Sequence, residues 1–172
     1  MFVRINVFVE KPITQTLIEA NHLIKLSKQF GVKIYVDDIF LFHPIFKKIK
    51  KTKFNEIEFF WNKYGSFKDD IFNNLTYHDL YMSLDLGIDI MSEINFQTNQ
   101  INIKKFKIGS VNYNYNRLSD SKSKYVKLDG NKIEFQTKKN ILKIMFDNLF
   151  NDNVNFEQNN KLALMVLKCI EK

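Results

Sequence analysis

The apolar residues of the first forty positions change period twice, and that change limits the fold more than any other feature of the chain. Val3, Ile5, Val7 and Val9 alternate with Arg4, Asn6 and Glu10, the two-residue period of a strand with one buried face. Beyond Pro12 the residues Ile13, Leu17, Ala20 and Ile24, broadened by Leu23 and Phe30, recur at helical spacing. Gly31 follows where a helix wants a left-handed residue to end on. Residues 32–42 are then apolar except for Lys33, Asp37 and Asp38, a second strand. Strand, helix and strand in this order predict an N-terminal βαβ unit with a right-handed crossover.

The periods that follow predict the rest of the chain. Ile45, Ile49, Phe54, Ile57, Trp61 and Tyr64 fit a helix over 44–64, broken near Thr52 and closed by Gly65. Two shorter helices come next, and Thr76 with Asp79 three residues on resembles a capping box that places 77–86 on the second of them. Residues 88–96, 101–108, 111–117, 124–128 and 132–135 are short alternating runs between polar turns, which predicts an antiparallel meander. Asp129-Gly130 supplies its last hairpin, because both turn positions tolerate positive φ. Two helical stripes close the chain: Ile141, Leu142, Met145 and Leu149, then Leu162, Met165, Val166 and Cys169. The expected fold class is α+β: an N-terminal βαβ unit, central helices, an antiparallel β-meander and two C-terminal helices, in one domain spanning 1–172. A chain of 172 residues, 45% of them hydrophobic, is long enough for one such core.

The single cysteine, Cys169, lies in an apolar run and reads as a buried thiol in a reducing compartment. The first residues lack the pattern of a signal peptide, and no segment reaches the length of a membrane span, so a cytoplasmic location is expected and a membrane partner is not.

Motifs for chemistry are sparse. Tyr35-Val36-Asp37-Asp38 resembles the YxDD box of reverse transcriptases, whose paired aspartates bind catalytic magnesium; the resemblance covers about eight residues. Polymerase chemistry needs a further carboxylate from a preceding strand, and the one before it offers Glu10 only at its end. Glu10, Asp37 and Asp38 are also the candidate ligands of a small magnesium-dependent nuclease, with Glu56 and Glu58 two apart on the expected helix and so on different faces. His22, His43 and His78 are scattered, without zinc-ligand spacing. No glycine-rich phosphate loop and no Gly-x-Ser-x-Gly elbow occurs, so neither a cofactor nor a catalytic residue is assigned and an enzyme is not expected.

Basic charge remains. The chain carries a net charge of +7, concentrated between Lys104 and Lys143. Tyr113 and Tyr115 share one face of their run, Asn112, Asn114 and Asn116 the other. If the tyrosines face outward, Lys104, Lys105, Lys107, Tyr113, Tyr115, Arg117, Lys122, Lys124, Tyr125 and Lys127 form an aromatic and cationic partner-binding surface; if inward, they are core. Residues 126–156 bear a similarity to winged-helix DNA-binding domains in their hairpin-then-helix order, although 161–170 is too apolar for a recognition helix. The expected function is therefore a non-enzymatic binding protein, an inhibitor or accessory factor of the immunity or anti-defence type. An inhibitor of a CRISPR effector is one form. The expected partner is a protein or ribonucleoprotein complex, possible RNA or DNA contacts included. A DNA- or RNA-binding regulator and the small nuclease stand as alternatives.

Overall fold

A computed structural model describes residues 5–63 and 70–171. The chain runs through β1 (Val7–Val9), α1 (Leu17–Phe30), β2 (Ile34–Val36), a 3-10 turn (Ile39–Phe42), α2 (Pro44–Ile49), β3 (Ile57–Asn62) and a π-helical turn (Phe72–Thr76) that leads into α3 (Tyr77–Asp85). Five strands follow, β4 (Ile94–Asn99), β5 (Ile103–Ile108), β6 (Val111–Asn116), β7 (Ser123–Leu128) and β8 (Asn131–Glu134), and then α4 (Ile141–Phe150) and α5 (Phe156–Ile170).

The main sheet is mixed, in the order β4-β5-β6-β3-β7-β8, with β3 parallel to β6 and antiparallel to β7. This overturns the expected architecture of a βαβ unit followed by an antiparallel meander. The cause lies in residues 57–62. Ile57, Phe59 and Trp61 are buried while Glu58, Phe60 and Asn62 are less so, a period of two that the helical spacing of Ile57, Trp61 and Tyr64 had hidden. Tyr64 and Gly65 themselves lie outside the described residues. As a strand, β3 enters the sheet between β6 and β7 and separates the runs expected to be neighbours. Thr76 is likewise no cap: its backbone is helical, its side chain makes no capping bond, and the π turn runs straight into α3. Asp129 and Gly130, with φ of 47° and 80°, do join β7 to β8 in a tight hairpin.

One face of the sheet is dry. Phe59, Trp61, Phe106, Tyr113, Tyr115 and Val126 project from it into the core. The opposite face carries Lys105, Lys107, Lys127 and a stacked pair, Phe60 and Tyr125, with ring centroids 4.5 Å apart.

β1 and β2 make a separate two-stranded parallel sheet, Val7 opposite Ile34 and Val9 opposite Val36. Its two edges differ. Beyond β2, the side chain of Asn159 on α5 takes the place of a third strand: its Oδ1 accepts from the N–H of Val36 at 2.8 Å and its Nδ2 donates to the carbonyl of Val36 at 2.9 Å. Between the strands, α1 begins in a complete capping box, Thr16 with Glu19, and ends on Gly31 at φ 63°.

Candidate functional site

The chain leaves β1 through Glu10, Lys11 and a cis Lys11–Pro12 bond, and so delivers Lys11 at the carboxyl end of a parallel strand. Its ammonium donates to the main-chain carbonyl of Asn74 at 2.7 Å and to the Oδ1 of the same residue at 3.1 Å. Asn74 belongs to the π turn, an irregularity that helices often carry at functional positions. Tyr77, wholly buried, sets its ring 5.9 Å from the Lys11 ammonium. Lys11, Thr14, Gln15, Asn74 and Tyr77, with Leu167 of α5, line a cleft of about 690 Å³. A cation fixed by two oxygens, beside amide and hydroxyl groups and an apolar wall, suits a ligand rich in hydroxyl or carbonyl oxygens.

Behind Lys11 the next residues of α3 form a buried polar cluster. Asp79 accepts from Lys124 Nζ at 2.5 Å, from Trp61 Nε1 at 2.6 Å and from the Tyr115 hydroxyl at 2.9 Å. The Lys124 ammonium lies 3.5 Å from the Trp61 ring centroid, with the rings of Phe40 and Phe135 also close. Burial pushes the Asp79 carboxyl up and the Lys124 ammonium down, to about 8, and the attraction between the two opposes both shifts. His78 stacks on Trp61 and is held well below its ordinary pKa, by burial first and by Lys11 and Lys124 next, so its imidazole is neutral.

These placements correct the expected binding surface. Tyr113 and Tyr115 are 0% and 1% exposed and point into the core, so no outward tyrosine platform exists on β6. Lys124 is buried against Asp79, and Lys104 against Asn99 and Asp70. Arg117 is half-buried and Lys122 exposed at the strand ends, leaving Lys105, Lys107, Tyr125 and Lys127 together on the outer face. The alternation of β6 is as expected; the inward direction of its tyrosines is set by β3 on one side and β5 on the other, with Phe59 and Phe106 stacked against Tyr113.

The aspartate pair serves the fold. Asp37 accepts from the N–H of Ile39 at 3.0 Å, while Asp38 accepts from the Tyr35 hydroxyl and from Asn159 Nδ2. Among the described residues no three His, Cys, Asp or Glu side chains converge as metal ligands, and Glu10 is exposed, so the nuclease set Glu10, Asp37 and Asp38 is not assembled. Burial pushes the Asp38 carboxyl up to about 7, against the pull of its hydrogen bonds from Tyr35 and Asn159. Its folded pKa exceeds the ordinary 3.8, so the stability it contributes is complete below that value and is lost as pH rises through about 7. Asp38→Asn removes this dependence. In thermal unfolding, the midpoint of the variant relative to the parent should therefore be higher at pH 8 than at pH 5; a difference that does not change with pH would mean that Asp38 is solvated.

No residue of the cleft is conspicuous in the sequence. Its one legible signal is a Lys-Pro step at the carboxyl end of a strand in a parallel unit, the end at which ligands of open α/β sheets bind. Asn74 and Tyr77 have no signal, because only the π turn brings them there.

No protein-family model and no curated protein matches the sequence. Solved structures do. The UDP-N-acetylglucosamine 3-dehydrogenase GnnA from Acidithiobacillus ferrooxidans superposes with a TM-score of 0.79 at 16% identity, over 96% of this chain and 68% of its own. The WlbA (WbpB) dehydrogenase from Thermus thermophilus, solved with NAD and UDP-GlcNAcA, gives 0.69 at 12% identity, over 97% of this chain and 64% of its own. The dehydrogenase MviM from Clostridium difficile gives 0.70 at 18% identity, over 96% and 69%. This likeness overturns the expectation of a non-enzymatic inhibitor, of a winged-helix regulator and of a nuclease. The helix that would have been a recognition helix, α5, instead buries Leu162, Ala163, Val166, Leu167 and Cys169. No helix among the described residues is long and apolar enough to cross a membrane. The chain shares the fold of these dehydrogenase structures, a mixed six-stranded sheet with helices beside a parallel βαβ element.

Proposed function

We propose that the chain carries the substrate-binding side of a dehydrogenase that oxidises a secondary alcohol of a polyhydroxyl compound, of the sugar-nucleotide kind named for GnnA, in the cytoplasm. The observation that carries this reading is the Lys11 ammonium, held by two oxygens of Asn74 at the carboxyl end of β1 and facing a polar cleft. A cation fixed in this way donates to the reacting oxygen and stabilises the negative charge that grows there as the hydroxyl loses its proton, without moving to do so. Tyr77 closes the cleft behind it, and the neutral His78 adds no competing charge.

The NAD of the WlbA structure has no cradle among the described residues of this chain. A pyrophosphate would need free amides at a helix N-terminus after a strand, and glycine to let it approach. Residues 10–16 contain no glycine. The first amides of α1 are already taken by carboxylates and by the cap: Thr16 N–H donates to Glu19 Oε2, Leu17 N–H to Glu171 Oε1, and Glu19 N–H to Thr16 Oγ1. Two carboxylates stand where the anion would, so these residues do not fit the dinucleotide's phosphates.

The reading is tested by calorimetric titration of the chain with UDP-N-acetylglucosamine. Saturable binding that Lys11→Met weakens is expected. Binding unaffected by that substitution, or no binding at all, would remove the cleft from substrate recognition.

A further inference from the structure

A second cleft, of about 340 Å³, shares no lining residue with the one at Lys11. Its polar lining divides by depth: Tyr35, Asp38 and Asn159 are buried, whereas Lys47 of α2, Gln158 of α5 and Asn153 of the loop between α4 and α5 are exposed. The floor is acidic and the rim is basic. We infer that this cleft binds a free α-amino acid with an apolar side chain, its ammonium on Asp38 and its carboxylate at Lys47.

The floor lacks a cation. A carboxyl group withdrawn from water is ordinarily paired with a positive charge, yet Asp38 is 5% exposed and the ion pairs of the described residues all involve other groups. Its two donors are neutral. The Tyr35 hydroxyl donates to Oδ1 and Asn159 Nδ2 donates to Oδ2 at 3.2 Å, which leaves a lone pair on each carboxyl oxygen and one on the tyrosine oxygen. Burial raises the Asp38 carboxyl against these two hydrogen bonds, and the charges of Asp37 and Asp85 push it the same way. A cation brought by a ligand would offset both. A metal ion fits poorly, because among the described residues no three His, Cys, Asp or Glu side chains converge, whereas an ammonium offers three donors to such acceptors.

The rim lacks an anion. Lys50 is held by Asp85 at 2.7 Å, but the Lys47 ammonium pairs with no described carboxylate and has the Phe42 ring 5.9 Å away. Gln158 and Asn153 add amide donors beside it. The cleft therefore holds one unpaired acid at depth and one unpaired cation at its mouth, and a zwitterion complements both without leaving a net charge buried. The remaining wall is apolar, made by Leu41, Phe42, Val154 and Leu162, and suits a hydrocarbon side chain. Its volume lies near the lower end of small-molecule sites, about 300 Å³, which favours a single amino acid over a peptide.

The inference stands apart from the dehydrogenase reading, and its test needs no enzymatic activity. Equilibrium dialysis of the chain against radiolabelled L-leucine or L-phenylalanine is expected to show saturable binding at one site. Isoamylamine and 4-methylpentanoate, which each keep one of leucine's two charges, should compete only at concentrations at least about tenfold higher than leucine. Lys47→Met, an exposed change that leaves the fold intact, is expected to weaken leucine binding by about tenfold and to leave isoamylamine binding unchanged; Asp38→Asn should weaken both. Lys11→Met, in the other cleft, should change neither. Binding of neither amino acid, an analogue bound as tightly as leucine, leucine binding indifferent to Lys47→Met, or leucine binding weakened by Lys11→Met would each overturn the inference.

Discussion

Asp79→Ala is expected to lower the unfolding free energy by about 3–5 kcal/mol, the range for breaking a buried ion pair by removing one partner. Asp79 and Lys124 are buried with side chains 0% and 3% exposed, and the carboxylate is the acceptor for three donors. Its loss strands the Lys124 ammonium among Trp61, Phe40 and Phe135 and leaves the Trp61 N–H and the Tyr115 hydroxyl without that acceptor. Burial has already depressed the ammonium toward neutrality, so the lysine in the variant sheds its proton sooner than pay the full cost of an isolated charge. The double substitution Asp79→Ala, Lys124→Met removes charge and partner together and should recover more than half of the loss in a urea-unfolding cycle. A single-variant effect under about 1 kcal/mol would show that water reaches the pair.

For the dehydrogenase proposed above, Lys11→Met is expected to lower kcat by about 10²–10⁴, the usual contribution of a positioned proton-handling or charge-stabilising group. Methionine keeps the length and apolar stem of lysine and loses the charge, so the hydrogen bonds to Asn74 disappear while the cleft keeps its shape. Lys11 is only half-buried, and the thermal midpoint should move little. The measurement is steady-state oxidation of a polyhydroxyl substrate in the presence of NAD. A rise in KM with kcat intact would make Lys11 a binding group alone, and unchanged kinetics would place the chemistry elsewhere.

What the sequence made legible was local. The helix from Leu17 to Phe30, its glycine end and the Asp129-Gly130 hairpin each follow from side-chain period and backbone preference within a few residues. What stayed hidden was set by distant partners. β3 carried two periods at once, since Ile57 and Trp61 are spaced for a helix and Ile57, Phe59 and Trp61 for a strand, and only the edges offered by β6 and β7 decide between them. Lys124 was counted with the surface charges because lysine rarely goes inside; the aspartate that draws it in is forty-five positions away. The candidate cleft was missed for the same reason, its lysine and asparagine meeting across sixty-three positions. Sequence motifs report chemistry only when the fold keeps the reacting groups close along the chain.

Asn159 also sets an order of events. The amide that finishes the β2 edge comes from α5, 123 positions after Val36, so a ribosome must have released nearly all of the described chain before that edge can close. Until then the β2 margin of the short parallel pair lacks this cover, and a long loop must be closed to supply it, a slow step by the logic of contact order. The nascent chain is thus most adhesive during synthesis, when a strand from a neighbour could enter on the wrong side. α5 thus acts as the check on whether the β2 edge can grow.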